Sequence, residues 1–579
     1  MLNGKRMLLL SLAVLAGVGI ARLPAALAQT GSLYRWTDPV TDVLLGINDH
    51  FFRETKLDQL QQGAIRGMID TLDDPYTEFI PNKEIKEFDK QVRGEFVGIG
   101  CEIRADNNWL LIVSPLDDSP AYKAGIEADD LVIAAGGVTT FNKSVDQCID
   151  LLTGEPGSVV RLTIERKGEE KDKPAGALPV QEVKREENAP EPAPVKAGNI
   201  RFDLNVTRAK ILTSTVKGIH RDPATQEWEF MADPVKKVGY IRVTQFTEGT
   251  VPELKAACQK LLSQGMKGLV LDLRFNGGGS LDAAEQMADM FLSEGLIVST
   301  KGRKSPEEKY FAHKDGTLPD FPMAILLNES SASASEVFSG ALADNKRAVI
   351  VGTRSFGKGI VQSVFRLPSG EGQLKVTEAY YYLPSGRCLH RTPDSTEWGV
   401  DPTPGFYVPA TISEQRDFVR LRRLEEIIHA PGKAEAAVPQ HWDDPSWILD
   451  HLKDKQLSSA VKAVQVRLDS GEWAPTGGDA PKGTLELAAL QRETKRMELL
   501  LREVDKAQKR IDALSTVADA NKAKPEIIPG DPDLTGGKLL VYDKDGKVVT
   551  TLKITGPDLE RWLLDAPVET DNPIGEPKK

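Results

Sequence analysis

Two groups able to do covalent chemistry lie close together in the stretch Asn328 to Gln362, NESSASASEVFSGALADNKRAVIVGTRSFGKGIVQ. One is a serine cluster, Ser331, Ser333 and Ser335, spaced by Ala332 and Ala334, which are small enough for a peptide backbone to approach closely. The other is Lys358, set between Gly357 and Gly359 and followed by Gln362. A hydroxyl at a helix N-terminus sits where unpaired N–H groups and the helix dipole stabilise developing negative charge. It still needs a base. Lysine can serve once burial disfavours its ammonium and brings its pKa toward neutrality. A serine and lysine so paired are an accepted variant of the serine-nucleophile arrangement. The residues alone leave open which serine would act.

Short apolar runs set the elements that must position these groups. MAILLN before the serines and AVIVG after them read as strands, with a helix between and a glycine-rich turn at the lysine. At about 100° per residue, eleven steps return Ser333 and Asp344 to nearly the same helix face. Upstream, VGYIRVTQF reads as a strand, VPELKAACQKLLSQG as an amphipathic helix and GLVLDLR as a buried strand. FNGGGS is then a turn and LDAAEQMADMFL a helix. This alternation predicts a mixed α/β layer fold.

Two rival chemistries fit less well. Gly352 to Lys358 matches most of a phosphate-binding loop, but Gly359 stands where a magnesium-holding Ser or Thr is needed. None of the seven histidines has a nucleophile-elbow or HGGG-type setting; His390 lies in a loop near the predicted site.

SASASE at Ser331–Glu336, then Asp344, then FGKGIVQ at Phe356–Gln362, together resemble the carboxy-terminal processing (tail-specific) proteases. The resemblance implies Ser333 as nucleophile, Lys358 as general base and Gln362 as the residue that orients the lysine. Asp344 corresponds to an acidic position that the family also carries, which makes it a candidate catalytic residue. The resemblance narrows the fold to a crotonase-like core of ββα units. DLRFNGGG at 272–279 stands where the family usually reads DLRNNPGG, so Phe275 and Gly277 are departures. By analogy, the N–H groups of Gly279 and Ala334 form the oxyanion hole. Glycines in such a turn let backbone donors approach a reacting carbonyl.

Ahead of the core, the turn Gly98-Ile99-Gly100 with the segment SPAYKAGI resembles a PDZ domain. Such a turn offers consecutive N–H groups to a carboxylate, and the neighbouring strand edge accepts an extended peptide. The expected ligand is the C-terminus of an unstructured protein. Many family members carry a basic residue where this chain has Thr153.

The expected organisation is a signal peptide at 1–28, a helical leader at 31–90, the PDZ domain at 91–216, the protease core at 217–465 and a tail at 466–579. A charged and proline-rich loop is inserted in the PDZ domain at 166–199. Lys5 and Arg6, the apolar run Met7–Ile20 and Ala26-Leu27-Ala28 form the export signal. Export places the protein in the periplasm or cell envelope; an uncleaved signal would leave it anchored to the membrane. The leader, with its LDDPYTEFIP motif, reads as scaffold without chemistry. The four cysteines lack metal-type spacing and read as buried thiols.

A net charge of −12 argues against nucleic acid as a partner. No metal or cofactor is implied. In the tail, Leu490, Met497, Val504 and Ile511 repeat every seven residues, with Leu500, Ala507 and Leu514 three positions on. This stripe suggests a homo-oligomer through that helix; an adaptor protein is a further candidate partner. The sequence therefore predicts an exported serine endopeptidase with a Ser333–Lys358 dyad. The alternative is a catalytically inactive PDZ scaffold of the envelope.

Overall fold

The computed structural model describes residues 37–85, 95–181, 198–392, 395–429 and 440–480, with Phe88, single helical positions between 493 and 507, and the strands of a hairpin within 537–553. The signal segment 1–28, residues 182–197 of the inserted loop and the heptad positions Leu490, Ile511 and Leu514 lie outside the described residues. The chain divides into two compact units, 1–485 and 486–579.

In the first unit four strands run parallel in the order Val238–Val243, Gly268–Asp272, Met323–Leu327 and Val349–Gly352. Each is apolar almost throughout because both faces of the sheet are covered. Helices Thr250–Ser263, Leu281–Asp289 and Ala334–Asp344 close one face, where Leu254, Met287 and Phe338 pack with Leu269, Leu271 and Ile325. Helices Pro445–Leu452 and Lys455–Ser470 close the other, setting Ile448, Val461 and Val464 against Val270, Ala324 and Leu326. The core therefore continues past the boundary expected at 465. A Cβ on Gly268 would meet Val464 at 2.5 Å, and Gly478 pairs with Tyr407.

A second sheet is antiparallel. Its long strand Gly372–Tyr382 pairs with Ile360–Arg366, with Leu296–Gly302 and with Glu78–Pro81. The last of these comes from the leader. Helix Leu57–Asp70 buries none of its residues, but after Asp74-Pro75 the leader adds a strand in register, Glu78 opposite Lys375 and Pro81 opposite Gly372. The leader is thus a structural part of the sheet that carries Gln362.

Strands Cys101–Asp106, Trp109–Pro115, Leu131–Ala135, Val159–Lys167 and Asn199–Thr207 form a third sheet in that order. Helix Val145–Leu152 starts with Gln147 N–H donating to the Ser144 hydroxyl and packs Cys148 and Leu152 among Ile112, Leu162 and Phe202. The inserted loop joins two strands paired over nine residues, Val159 opposite Thr207 to Lys167 opposite Asn199, so its length leaves the sheet intact. The four cysteines are free; Cys148 and Cys258 are buried, whereas Cys101 and Cys388 are only half-buried. Burial pushes the Cys258 thiol up to about 12, far from a thiolate nucleophile.

In the second unit Lys538–Tyr542 and Val548–Lys553 form an antiparallel hairpin. Met497, Leu500 and Val504 are helical and exposed. No helix among the described residues is long and apolar enough to cross a membrane.

Candidate active site

The strand Met323–Leu327 ends in a turn that is stitched to the glycine turn 276–279. The Ser331 hydroxyl donates to the Leu273 carbonyl at 2.9 Å, the Ser335 hydroxyl donates to the Asn276 carbonyl at 2.9 Å, and Ala332 N–H donates to that same carbonyl at 3.0 Å. Asn276 is buried and donates through its side chain to the Val243 carbonyl, while its side-chain oxygen accepts from Gly278 N–H. Two of the three serines are therefore committed to structure. Ser333 is left, its hydroxyl donating no hydrogen bond among the described residues.

Ser333 caps the helix Ala334–Asp344 with φ 57° and ψ −115°, a region that costs a non-glycine residue on the order of 1–3 kcal/mol. The bonds on either side hold it there. One comes from its own helix, where the Glu336 carboxylate accepts the Ser333 N–H at 2.8 Å.

That carboxylate also builds the lysine turn. Glu336 Oε2 accepts from Lys358 N–H at 2.8 Å, and Oε1 accepts from Gly357 N–H and from the Ser355 hydroxyl, each at 2.6 Å. Glu336 is fully buried, and burial pushes its pKa up while these four donors pull against it. The Ser355 hydroxyl accepts from Val400 N–H at 2.7 Å, so its own proton points to Glu336. Gly357, at φ 92°, leaves no room for a side chain, since a Cβ would meet Trp398 and Arg391 at 2.6 and 2.7 Å.

Lys358 itself is half-buried, and burial, reinforced by Lys375, lowers its pKa from the ordinary lysine value. Its Nζ lies 5.1 Å from the ring centroid of Tyr76, a leader residue that sequence reasoning passed over. His390 stands nearby, its ring 6.3 Å from that of Tyr76 and 5.2 Å from that of Tyr380. Among the described residues no hydrogen bond joins the Ser333 hydroxyl to the Lys358 amine. Such bonds are often loose in unliganded enzymes and tighten in the reactive complex.

Two expected site residues sit differently. Gln362 donates its amide to the Tyr76 carbonyl at 2.7 Å, so in this state it is tied to the leader and makes no hydrogen bond to Lys358. Asp344 lies apart from Ser333 and Lys358. It shares a face with Ser333 but ends the same helix, about 16 Å along the axis at 1.5 Å per residue. It is exposed, and its carboxylate accepts from Ser385 N–H at 2.9 Å.

The glycine turn is held from beneath by a buried ion cluster that the sequence did not flag. Arg274 donates to Asp272 at 2.6 and 2.9 Å and to Asp454 at 2.7 and 2.8 Å, all three side chains being almost fully buried. Burial alone would raise the Asp272 pKa, but the Arg274 and Arg422 guanidiniums hold it well below the usual carboxylate range. On this base Gly278, at φ 100°, packs directly on the serine turn: a Cβ there would lie 2.8 Å from Ser333 Cβ and 2.9 Å from Ala334 N. Gly279 bridges to Phe246. The N–H groups of Gly279 and Ala334 have no acceptor among the described residues. No cluster of metal-ligating side chains occurs among those residues.

A cavity of about 870 Å³ is lined by Gly98, Ile99 and Gly100, by Ile149 and Leu152, and across from them by helix Ile412–Leu424. Gly100, at φ 78°, has no room for a side chain because a Cβ would meet that of Ser119 at 2.4 Å. Ser333 and Lys358 do not line the cavity; Phe275, in the glycine turn, does.

Residues 237–403 match peptidase family S41, residues 111–166 match the PDZ domain, and residues 31–84 match the N-terminal domain of the activating protease CtpB. The chain is 34% identical over 433 residues to a carboxy-terminal-processing protease of Bartonella bacilliformis, covering 72% of this chain and 85% of that one. It is 33% identical over 346 residues to a probable CtpA-like serine protease of Staphylococcus haemolyticus, covering 59% of this chain and 60% of that one. Among solved structures it resembles the photosystem II D1 C-terminal processing protease, with 27% identity, a TM-score of 0.35, and coverage of 67% of this chain and 92% of that one. The chain belongs to peptidase family S41, the carboxy-terminal-processing proteases, and is a serine peptidase.

Proposed function

We propose that this peptidase is an exported endopeptidase that takes unstructured protein C-termini into its PDZ groove and cuts them with a Ser333–Lys358 dyad. Neutral Lys358 removes the Ser333 proton as Oγ attacks the scissile carbonyl. The N–H groups of Gly279 and Ala334 stabilise the oxyanion. The lysine then returns its proton to the departing amine, and water hydrolyses the ester. Gln362 would orient the lysine through its amide oxygen, which has no hydrogen-bond partner among the described residues. Export rests on the residue pattern of 1–28, and self-association through the tail helix rests on its heptad spacing.

The observation that carries this reading is the shared Glu336 carboxylate, which ties the backbone of the candidate nucleophile to that of the candidate base. The cavity at Gly98–Gly100 supports a carboxylate-ended peptide as the ligand. The test is mass spectrometry of an unfolded polypeptide with an apolar C-terminus after incubation with wild type and with Ser333→Ala. Cleavage by wild type alone is expected; cleavage by both removes Ser333 from the role.

A further inference from the structure

The leader delivers one aromatic side chain to the lysine pocket, and its attachment there is built residue by residue. The Asp74 carboxylate accepts from Tyr76 N–H at 3.0 Å and from the Thr77 hydroxyl at 2.6 Å. The Thr77 hydroxyl in turn accepts from Thr377 N–H at 3.2 Å, and Glu78–Pro81 then pairs with Gly372–Lys375. These bonds fix Tyr76 with its ring 5.1 Å from Lys358 Nζ and its carbonyl 2.7 Å from the Gln362 amide.

We propose that Tyr76 is a positioning residue for the general base. Its ring walls the Lys358 amine off from water and its carbonyl anchors Gln362, so the lysine pocket is complete only with the leader strand docked. This rests on the reading that Lys358 is the base.

Other charges face the amine from each neighbouring element. Glu336 comes from the serine helix, Lys375 from the long strand, and Glu78 and Asp74 from the leader; Arg391 and His390 act on Tyr76 and Asp74 from the adjoining loop. Lys375 is paired with Glu78, and both Glu336 oxygens are occupied by donors. On the leader side the Tyr76 ring is the group that excludes solvent. A ring facing a cation also favours the charged form, by about threefold in a protonation constant at an exposed site and on the order of thirtyfold at a desolvated one. Exclusion of water acts the opposite way, by up to about a thousandfold at full burial. Burial is the largest of the influences on the Lys358 amine and lowers its pKa from the ordinary value.

The test is the pH profile of kcat/KM on the unfolded polypeptide, measured with the full chain. Tyr76→Ala is expected to move the limb on which activity rises with pH toward higher pH. At about pH 7 kcat/KM then falls about tenfold or more, and at about pH 10 the deficit shrinks to less than about threefold. Tyr76→Phe, which keeps ring and carbonyl, is expected to restore the wild-type limb. A deficit of equal size at every pH overturns the proposal and leaves Tyr76 a packing residue. If Tyr76→Ala does not fold, Tyr76→Thr, whose β-branched side chain suits the adjoining strand, opens the same wall and is read in the same way. Lys358→Met separates the two levels of argument. Retained cleavage in that variant overturns the dyad and this proposal together, whereas its loss beside a pH-independent Tyr76→Ala deficit overturns the proposal alone.

Discussion

The backbone N–H groups of Ser333 and Lys358 donate to the same atom, Oε2 of Glu336, each at 2.8 Å. The two turns are 25 positions apart by residue number, 358 less 333, and one buried carboxylate sets the distance between them. Ser333 is held in its unfavourable backbone conformation by the same contact.

Glu336→Gln should therefore harm activity more than stability. An amide presents two donors where the carboxylate accepted four bonds, so one side of it faces N–H groups it cannot serve. We expect a loss of about 1–3 kcal/mol in stability and at least about a hundredfold in kcat/KM, read from urea denaturation and from peptide cleavage. A variant near wild type in kcat/KM would show that the turns need no common acceptor.

The glycine turn supplies a sharper contrast within three residues. Gly278→Ala puts a Cβ within 2.7 Å of the Ala332 carbonyl at φ 100°, whereas a Cβ on Gly277 meets nothing within 4 Å. Thermal melts and kcat/KM of the pair should diverge, with Gly278→Ala destabilised by about 1–3 kcal/mol and poorly active. Similar behaviour of the two variants would mean that the turn adjusts freely.

The ion cluster under that turn makes a pH prediction. The Asp272 pKa is depressed in the folded state, so its contribution is present above the ordinary carboxylate value and lost as pH falls through about 4 and below. Arg274→Met should cost about 3–5 kcal/mol near neutral pH because it takes the bonded guanidinium from buried Asp454 and leaves buried Asp272 with Arg422 alone. Its deficit relative to wild type should narrow in urea titrations carried toward about pH 3; a constant deficit would assign the cost to packing alone.

Activity should also rise with pH, but through loss of a proton from a base rather than from a buried acid. The base must be neutral, and burial lowers the Lys358 pKa from 10.5, so kcat/KM should rise with pH and level off below that value. A rising limb centred at 10.5 or above would mean that the amine is not desolvated.

How much of this was legible depends on how far apart in the chain the partners lie. The serine and lysine turns are local motifs, each complete within a few residues, and the α/β alternation follows from short apolar runs. Periodicity placed Asp344 on the right face of its helix but carries no information about depth along the axis, which is why it read as a neighbour of Ser333. Tyr76 was invisible because its partner Gln362 is 286 positions away, and nothing in LDDPYTEFIP announces a strand in the catalytic sheet. Arg274 and Asp454, 180 positions apart, were hidden for the same reason. Helix Lys455–Ser470 runs past the boundary placed at about 465 because it covers the second face of the parallel sheet, a requirement that appears only once the sheet is assembled.

The account stands on Lys358 activating Ser333. Covalent labelling by a fluorophosphonate, followed by peptide mapping, measures this directly on the full chain. The account predicts one adduct, on Ser333, whose formation accelerates with pH and is lost in Lys358→Met while the fold is retained. Equal labelling of wild type and Lys358→Met, or an adduct on Ser331 or Ser335, would contradict it.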